Sequence, residues 1–181
     1  ELFNGVDGAY AYLSGLYDAT DGIRLKIEPL DIDYKNTQPV KVYEKNGLVV
    51  SALGIPHGDV PTLAYRIDSP NGRIVFSSDQ NGSNPAFIDF AQQADILVMP
   101  AAITEDADEM SSFMHAKPSI VGKIAEKTHP EMLVLDHFMG KSLRDKDQIM
   151  RIIKQYYHGP IKAGRDLACY PVVIKKENHE K

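Results

Sequence analysis

The hydrophobic and polar positions in the first half of the chain predict two β-hairpins. The segments VKVYEK and LVVSALGI flank Asn46-Gly47, and the segments TLAYRIDSP and RIVFSSD flank Asn71-Gly72. Each segment is rich in apolar residues, and Asn-Gly is the dipeptide that most favours a tight reversal between antiparallel strands. We therefore expect four short strands, paired as two hairpins, before the middle of the chain.

After Asp79 the pattern changes to short apolar runs that alternate with segments of helical period. Helices are predicted at 85–94, 118–127 and 144–157, and short strands at 96–99, at 132–135, near Ile161 and near Val172. Gly159-Pro160 ends the last predicted helix. Hairpins followed by alternating strands and helices are typical of a layered α/β domain.

The composition is that of an ordinary globular domain, and the net charge is negative. The 181 residues are 43% hydrophobic and 25% charged, with a formal net charge of -5 at pH 7. This charge argues against a broad basic surface for nucleic acid, although a local basic groove is compatible with it. The single cysteine, Cys169, cannot form an internal disulfide, so nothing in the chain requires an oxidising compartment.

The chain carries no sequence signal for a membrane. No apolar run approaches the roughly 18 residues of a membrane span, and the amino terminus lacks the basic and apolar pattern of a signal peptide. We therefore expect a soluble protein with no membrane partner, in the cytoplasm or the periplasm. The chain begins at Glu1, and residues 2–22 show neither a helical period nor a strand alternation. This start is typical of a segment from the middle of a longer protein.

Three potential metal ligands share one sequence context. His57 comes after LVVSALGI, Asp79 after RIVFSS and His137 after MLVLD, so each lies just beyond the carboxyl end of a predicted strand. In layered α/β folds, side chains from distant parts of the chain meet at the strand ends, and ligands bind there. Two imidazoles and a carboxylate are also a donor set that suits zinc, iron or manganese. We expect the three side chains to converge at one edge of the sheet.

Each of these residues also has an ordinary structural explanation. A single histidine beside apolar residues is more often a hydrogen-bonded core or turn residue than a metal ligand. Asp79 stands in SDQNG, which is turn chemistry, and could cap a helix. No two histidines stand one helical turn apart, so no short spacing signature supports the metal interpretation. The residues alone leave both explanations open.

In order and spacing, the chain resembles the later half of a metallo-β-lactamase-fold hydrolase, on the branch that includes ribonuclease Z and the arylsulfatase-like enzymes. The resemblance runs from about Leu48 to Asp166, through HGDVPTLAYRI, IVFSSDQNG, MHAKPSIVGKIAEKTHPEMLVLDHFMGKSL and GPIKAGRDL. It implies an α/β fold that is half of a four-layer αββα sandwich, with a mixed sheet and helices on one face. Residues 1–181 would form a single domain, or the C-terminal portion of one such domain.

The resemblance also implies roles for individual residues. His57 would bind one metal ion, Asp79 would bridge two and take part in catalysis, and His137 would bind the second ion. Two divalent ions are expected, with zinc first and iron or manganese as alternatives. His115, in MHAKPS, resembles a catalytic histidine that assists the leaving group, and Pro118 places it before a helix whose first backbone donors favour a nearby anion. An ordinary loop histidine is the alternative.

One feature of the family is missing from this sequence. The signature cluster of three histidines and an aspartate within six residues, which supplies most of the first metal site, has no counterpart here. We therefore expect an N-terminal half that carries the cluster to be cleaved, to lie on another chain, or not to be part of this sequence. One half alone would leave an apolar face of its sheet open.

The function that the resemblance implies is metal-dependent hydrolysis of ester-like bonds. Phosphodiesters are the first expectation, attacked by hydroxide that the metals generate from water. The expected partners are a small-molecule or phosphodiester substrate, the N-terminal half and, as a further option, a second copy in a homo-oligomer. Two alternatives stay open: a lactonase or sulfatase on the same scaffold, and a non-catalytic chain that completes the fold with its partner half.

Overall fold

The computed structural model describes residues 29–172, which contain a seven-stranded mixed sheet. The strands are β1 (Val40–Lys45), β2 (Leu48–Gly54), β3 (Leu63–Ser69), β4 (Gly72–Phe76), β5 (Ile96–Pro100), β6 (Met132–Asp136) and β7 (Ile161–Ala163). Their order in the sheet is their order in the chain. The pairs from β1 to β4 are antiparallel, whereas β4, β5, β6 and β7 are parallel neighbours. The predicted α/β class is confirmed.

The two predicted hairpins are present, and their turns differ. Asn46 and Gly47 form the first turn with φ of 52° and 79°, the left-handed backbone of a two-residue type I′ turn. The second turn lies one residue earlier than predicted, at Pro70-Asn71, because Ser69 pairs with Gly72. Proline suits the first central position of a turn because its ring fixes φ. The Ser69 hydroxyl also accepts a hydrogen bond from the N–H of Asn71.

The described residues contain five helices. They are α1 (Ala86–Phe90), α2 (Glu109–Met114), α3 (Pro118–Thr128), α4 (Gly140–Arg144) and α5 (Lys146–Ile153). The helix predicted at 118–127 is confirmed. The polar run before Phe113 gave no helical period, so α2 was not predicted, and its first turn depends on the Asp108 carboxylate, which accepts a hydrogen bond from the Ser111 N–H at 2.7 Å.

Two predicted helices have different bounds in the structure. The helix predicted at 85–94 ends at Phe90, and Gln93 then takes a left-handed φ of 54° while its N–H donates to the carbonyl of Thr128. The helix predicted at 144–157 is wrong at both ends. The chain is already helical from Gly140, leaves helical geometry at Asp145 with φ of -101° and ψ of 20°, and ends its second helix at Ile153.

The remaining strand predictions have mixed outcomes. The strands predicted at 96–99, at 132–135 and near Ile161 are confirmed. The structure assigns no strand to residues 164–172, so the strand predicted near Val172 is not found there, and residues 173–181 lie outside the described part. The prediction for residues 2–22 also lies outside the described residues.

The helices pack on one face of the sheet and form the core with it. The buried residues of this layer come from alternate positions of the strands and from the facing sides of the helices: Leu53, Val75, Leu97, Met99, Leu133, Leu135, Phe87, Phe90, Val121, Ile124, Ile149 and Ile153. Burial of these side chains is the main force that holds the helices to the sheet. Tyr43, Tyr65 and Phe76 point to the opposite face and are 47%, 38% and 42% exposed.

Strand direction fixes where the functional residues come together. β2 and β4 are both antiparallel to β3, and β6 is parallel to β4 through β5. The three strands therefore end at the same edge of the sheet, and the residues that follow them meet there. Within residues 29–172, no helix is long and apolar enough to cross a membrane.

Candidate metal centre

The structure brings His57, Asp79, His115 and His137 together at this edge of the sheet. The Oδ2 atom of Asp79 lies 3.4 Å from Nε2 of His137 and 3.9 Å from Nε2 of His57. The centroid of the His115 ring is 4.8 Å from that of His57 and 5.7 Å from that of His137. All four residues predicted from the sequence therefore share one site.

His57 stands in a rigid turn that aims one ring nitrogen at Asp79. The ring is buried, and its Nδ1 lies 2.7 Å from the backbone carbonyl of Met114. A carbonyl oxygen can only accept, so Nδ1 carries the proton and Nε2 keeps a free lone pair. Gly58 follows with φ of 56°, a backbone conformation that suits glycine, and a Cβ at this position would overlap with Sδ of Met114.

The other two strand-end loops place their residues by an uncommon backbone. Ser78, directly before Asp79, has φ of 51°, and His137 itself has φ of 48°. Left-handed conformations are uncommon for residues other than glycine, and they cluster at functional sites where the surrounding structure holds them. The Asp79 side chain remains 33% exposed and that of His137 43% exposed, so both face an open space rather than the core.

His115 lies at the C-terminal end of α2. Its backbone N–H donates to the Ser111 carbonyl, and the N–H of Ala116 donates to the Gln80 carbonyl at 2.7 Å. Among residues 29–172, its Nδ1 and Oε1 of Gln80 are the buried side-chain polar atoms that have no hydrogen-bond partner. Burial lowers the pKa of His115; the Asp79 carboxylate raises it, and the neighbouring rings of His57 and His137 lower it further.

The residues present fit a divalent ion. One potential ligand atom from each of His57, Asp79 and His115 lies within 4.8 Å of the others, which is close enough to surround an ion after small adjustments. Imidazole nitrogen and carboxylate oxygen are common zinc ligands. In addition, Nδ1 of His115 is buried and has no hydrogen-bond partner among residues 29–172. This group of three residues contains His115, for which the resemblance implied a catalytic role, and not His137, for which it implied metal binding. His137 nevertheless lies 3.4 Å from the Asp79 carboxylate, so both histidines are candidate ligands.

Two groups beside the site were not predicted from the sequence. Asp136, the last residue of β6, directly precedes His137; burial raises its pKa, the Asp79 carboxylate adds to this rise, and His137 opposes it. The carboxylate next to a strand-end histidine was the signal that could have identified it. The second group is the backbone carbonyl of Met114, which accepts the hydrogen bond from His57. Met114 is the last residue of α2, a helix that the sequence did not predict.

A cavity of about 640 Å³ opens beside His137. Its wall combines apolar side chains of the sheet face with polar side chains near the C-terminal end of the described part: Phe76, Val98, Val134, Asp136, His137, Phe138, Leu143, Lys146, Gly164, Arg165, Asp166 and Tyr170. Of the four residues of the candidate site, His137 lines this cavity.

Comparison with solved structures finds the same fold in several proteins. The metallo-β-lactamase-fold protein YhfI from Bacillus subtilis superimposes with a TM-score of 0.59 at 22% sequence identity, over 82% of this chain and 58% of that chain. The short form of human tRNase Z superimposes with a TM-score of 0.58 at 17% identity, over 75% of this chain and 48% of that chain. A diphosphatase from the PhnP family has a TM-score of 0.56 at 14% identity, over 93% of this chain and 58% of that chain.

The chain matches solved structures but neither a family model nor a curated protein. No protein-family model matches the sequence, and a search of curated proteins found no match. The chain spans about half to three-fifths of the length of the solved structures described above. At these identities the likeness is one of fold.

Proposed function

We propose that this chain, which has the metallo-β-lactamase fold, carries part of the active site of a metal-dependent hydrolase of ester-like bonds, with phosphodiesters as the first substrate class. One observation carries the proposal: a single carboxylate oxygen of Asp79 faces the Nε2 atoms of His57 and His137. A carboxylate with two imidazole nitrogens beside the same oxygen is a donor set that suits a divalent ion.

In this proposal, His57, His137 and Asp79 would hold two divalent ions, with zinc first; the two histidines would bind through Nε2, and Asp79 would contribute to both sites. When bound, such ions would activate a water molecule and polarise the substrate near neutral pH. The hydrogen bond from His57 Nδ1 to the Met114 carbonyl supports this role because it fixes the tautomer that leaves Nε2 free. The backbone at Ser78 and His137 fixes the direction of the other two ligands.

His115 would give a proton to the leaving oxygen. Its Nδ1 is buried, so Nε2 is the nitrogen that can reach a substrate. Burial lowers the pKa of His115, which makes its protonated form a stronger acid and reduces the fraction protonated at neutral pH. The His115 ring lies beside those of His57 and His137, which supports a role at the same site.

We also propose that a second αβ half covers the open face of the sheet and completes the site. The exposed aromatic side chains of Tyr43, Tyr65 and Phe76 lie on that face, where an apolar partner surface would bury them. The incomplete coverage of the YhfI and tRNase Z structures supports a partner of this kind. The remaining metal ligands would come from that half.

The choice of phosphodiesters over other esters is supported by two of the structural neighbours. One is named a tRNase Z and another a diphosphatase, and both names describe reactions at phosphorus. A fold alone does not define a substrate, so lactones and aryl sulfates belong in the same assay.

The test uses the full-length protein purified with its own metal. We expect about two divalent ions per protein by elemental analysis, and hydrolysis of bis(p-nitrophenyl) phosphate that a chelator abolishes and zinc restores. Hydrolysis of a lactone or an aryl sulfate alone would replace phosphodiesters as the substrate class. A protein with no bound metal and no hydrolysis of any of these esters would refute the proposed function.

A further inference from the structure

Asn81 joins three loops of the candidate metal centre. Its backbone N–H donates to the carbonyl of Pro56 at 3.0 Å, and its side-chain Nδ2 donates to the carbonyl of Phe113 at 2.9 Å. Pro56 directly precedes His57, Phe113 lies two residues before His115, and Asn81 itself follows Asp79 by two residues. Asn81 therefore bonds to the segments that carry His57 and His115, and it belongs to the segment that carries Asp79.

The orientation of the Asn81 amide is fixed by its other end. Its Oδ1 accepts a hydrogen bond from the N–H of Ser83 at 3.0 Å, which is the local turn typical of asparagine. With Oδ1 held in this way, Nδ2 points at the Phe113 carbonyl. The same carbonyl accepts a second hydrogen bond, from the N–H of Gly58 at 3.2 Å, so it is held from two loops at once.

The segment that Asn81 holds is the one that controls His57. Met114 follows Phe113, and its carbonyl accepts the hydrogen bond from His57 Nδ1 at 2.7 Å. The tautomer of an imidazole is set by the partner of its second nitrogen, and loss of such a partner commonly reduces metal affinity. Displacement of residues 113–114 would therefore change both the His57 tautomer and the place of His115, which comes next in the chain.

We propose that Asn81 is a positioning residue of this site. Its amide holds the Phe113–Met114 segment where the Met114 carbonyl keeps the proton of His57 on Nδ1, and where His115 faces Asp79. The inference rests on the proposed metal site for its functional meaning, whereas the tautomer of His57 can be measured with no metal and no substrate.

The test compares Asn81→Ala with Asn71→Ala in the full-length protein. Asn71 is an exposed turn residue away from the site, so its replacement controls for the loss of an asparagine side chain. Long-range ¹H–¹⁵N spectra of the metal-free protein report which ring nitrogen of His57 carries the proton. Competition with a chromogenic chelator measures zinc affinity without any activity assay.

We expect the Nδ1–H tautomer of His57 in the wild type and in Asn71→Ala, and a mixture of tautomers in Asn81→Ala. Zinc affinity of Asn81→Ala should fall by about 10- to 100-fold. If Asn81→Ala does not fold, Asn81→Ser replaces it, because serine can still accept from the Ser83 N–H but is too short to reach the Phe113 carbonyl.

An unchanged His57 tautomer in the folded variant would overturn the inference. The failure of the proposed function would have a different signature: the wild type itself would bind no zinc, while the spectra of the metal-free protein would still decide the role of Asn81.

Discussion

The Nε2 atom of His137 lies 3.4 Å from the Oδ2 atom of Asp79. Two ligand atoms that each lie about 2.1 Å from one ion at a tetrahedral angle are about 3.4 Å apart, so this pair already has the separation that a shared ion requires. The second imidazole, that of His57, has its Nε2 at 3.9 Å from the same oxygen and needs a shift of only a few tenths of an ångström. The strand ends thus bring three potential metal ligands close together.

Replacement of Asp79 by asparagine tests this arrangement. Asn keeps the size of the side chain but removes the charge and makes one terminal atom a donor, which cannot bind a cation. In the full-length protein, we expect Asp79→Asn to lose at least one divalent ion together with the activity, measured by elemental analysis of dialysed protein. Asp89→Asn, an exposed carboxylate of α1, is the matched control. Full metal content in Asp79→Asn would show that Asp79 is not a ligand.

Much of the sheet could be predicted because its signals are local. The apolar strands and the Asn46-Gly47 turn can each be recognised from a few consecutive residues. Because His57 and Asp79 each follow a strand, their sequence positions alone place them at one edge of the sheet. The second turn was misplaced because Pro70 and Gly72 compete for it, and the pairing of Ser69 with Gly72 decides the outcome. Such a choice depends on the register between strands rather than on the dipeptide.

What the sequence did not predict depends on contacts between distant segments. The helix α2 has a polar N-terminal turn that Asp108 caps, so the sequence shows no hydrophobic period that would predict this helix. Its C-terminal end nevertheless supplies the carbonyl that orients His57, across 57 positions in the chain. Asn81 likewise appears as ordinary turn chemistry until the fold brings Phe113 beside it. Local pattern predicted that His57, Asp79 and His137 lie at one edge of the sheet, but not which groups hold them there.

Gly58 provides a prediction on stability. We expect Gly58→Ala to lower the free energy of unfolding by about 1–2 kcal/mol, because its φ of 56° is left-handed and the added methyl group meets Met114. Gly140→Ala is the matched control: it lies in a helix with nothing within 4 Å of the added Cβ, and should be neutral or stabilising by about 0.5 kcal/mol. Urea unfolding of both variants measures the difference. Equal stability of the two would contradict the strain assigned to position 58.

Tyr157 provides a prediction on pH dependence. Its side chain is buried, and its hydroxyl donates to the carbonyl of Pro130 at 2.7 Å. Burial raises the pKa of Tyr157 to about 12, with smaller contributions from the carboxylates of Glu131 and Glu126. At neutral pH, Tyr157→Phe should cost about 1 kcal/mol of stability, because the Pro130 carbonyl loses its partner.

The sign of the pH effect follows from the raised pKa. The stability that the neutral hydroxyl supplies is complete below the ordinary tyrosine pKa of 10 and is lost as pH rises toward about 12. The difference between wild type and Tyr157→Phe in urea unfolding should therefore narrow from about pH 10 to about pH 12. Tyr156→Phe, whose hydroxyl makes no hydrogen bond within residues 29–172, is the control and should show no such trend. A constant difference would refute the shifted pKa.

The final prediction separates the two roles that geometry allows for His115. If His115 assists the leaving group, His115→Ala in the full-length protein should lower turnover by about 10² to 10⁴ and leave the metal content intact. A nitrophenyl phosphodiester should be less affected than an alkyl phosphodiester, because a stable leaving anion needs less help from a proton. His158→Ala, an exposed histidine far along the chain from the site residues, controls for the loss of an imidazole.

The decisive measurement is metal content and turnover on both substrates in one preparation of His115→Ala. Loss of metal would make His115 a ligand, as the 4.8 Å cluster that it forms with His57 and Asp79 permits. Retained metal with a larger loss on the alkyl ester would support proton donation, because only the departing oxygen differs between the two substrates. Unchanged turnover on both would reduce His115 to an ordinary loop histidine, and its buried Nδ1 would then need a structural explanation.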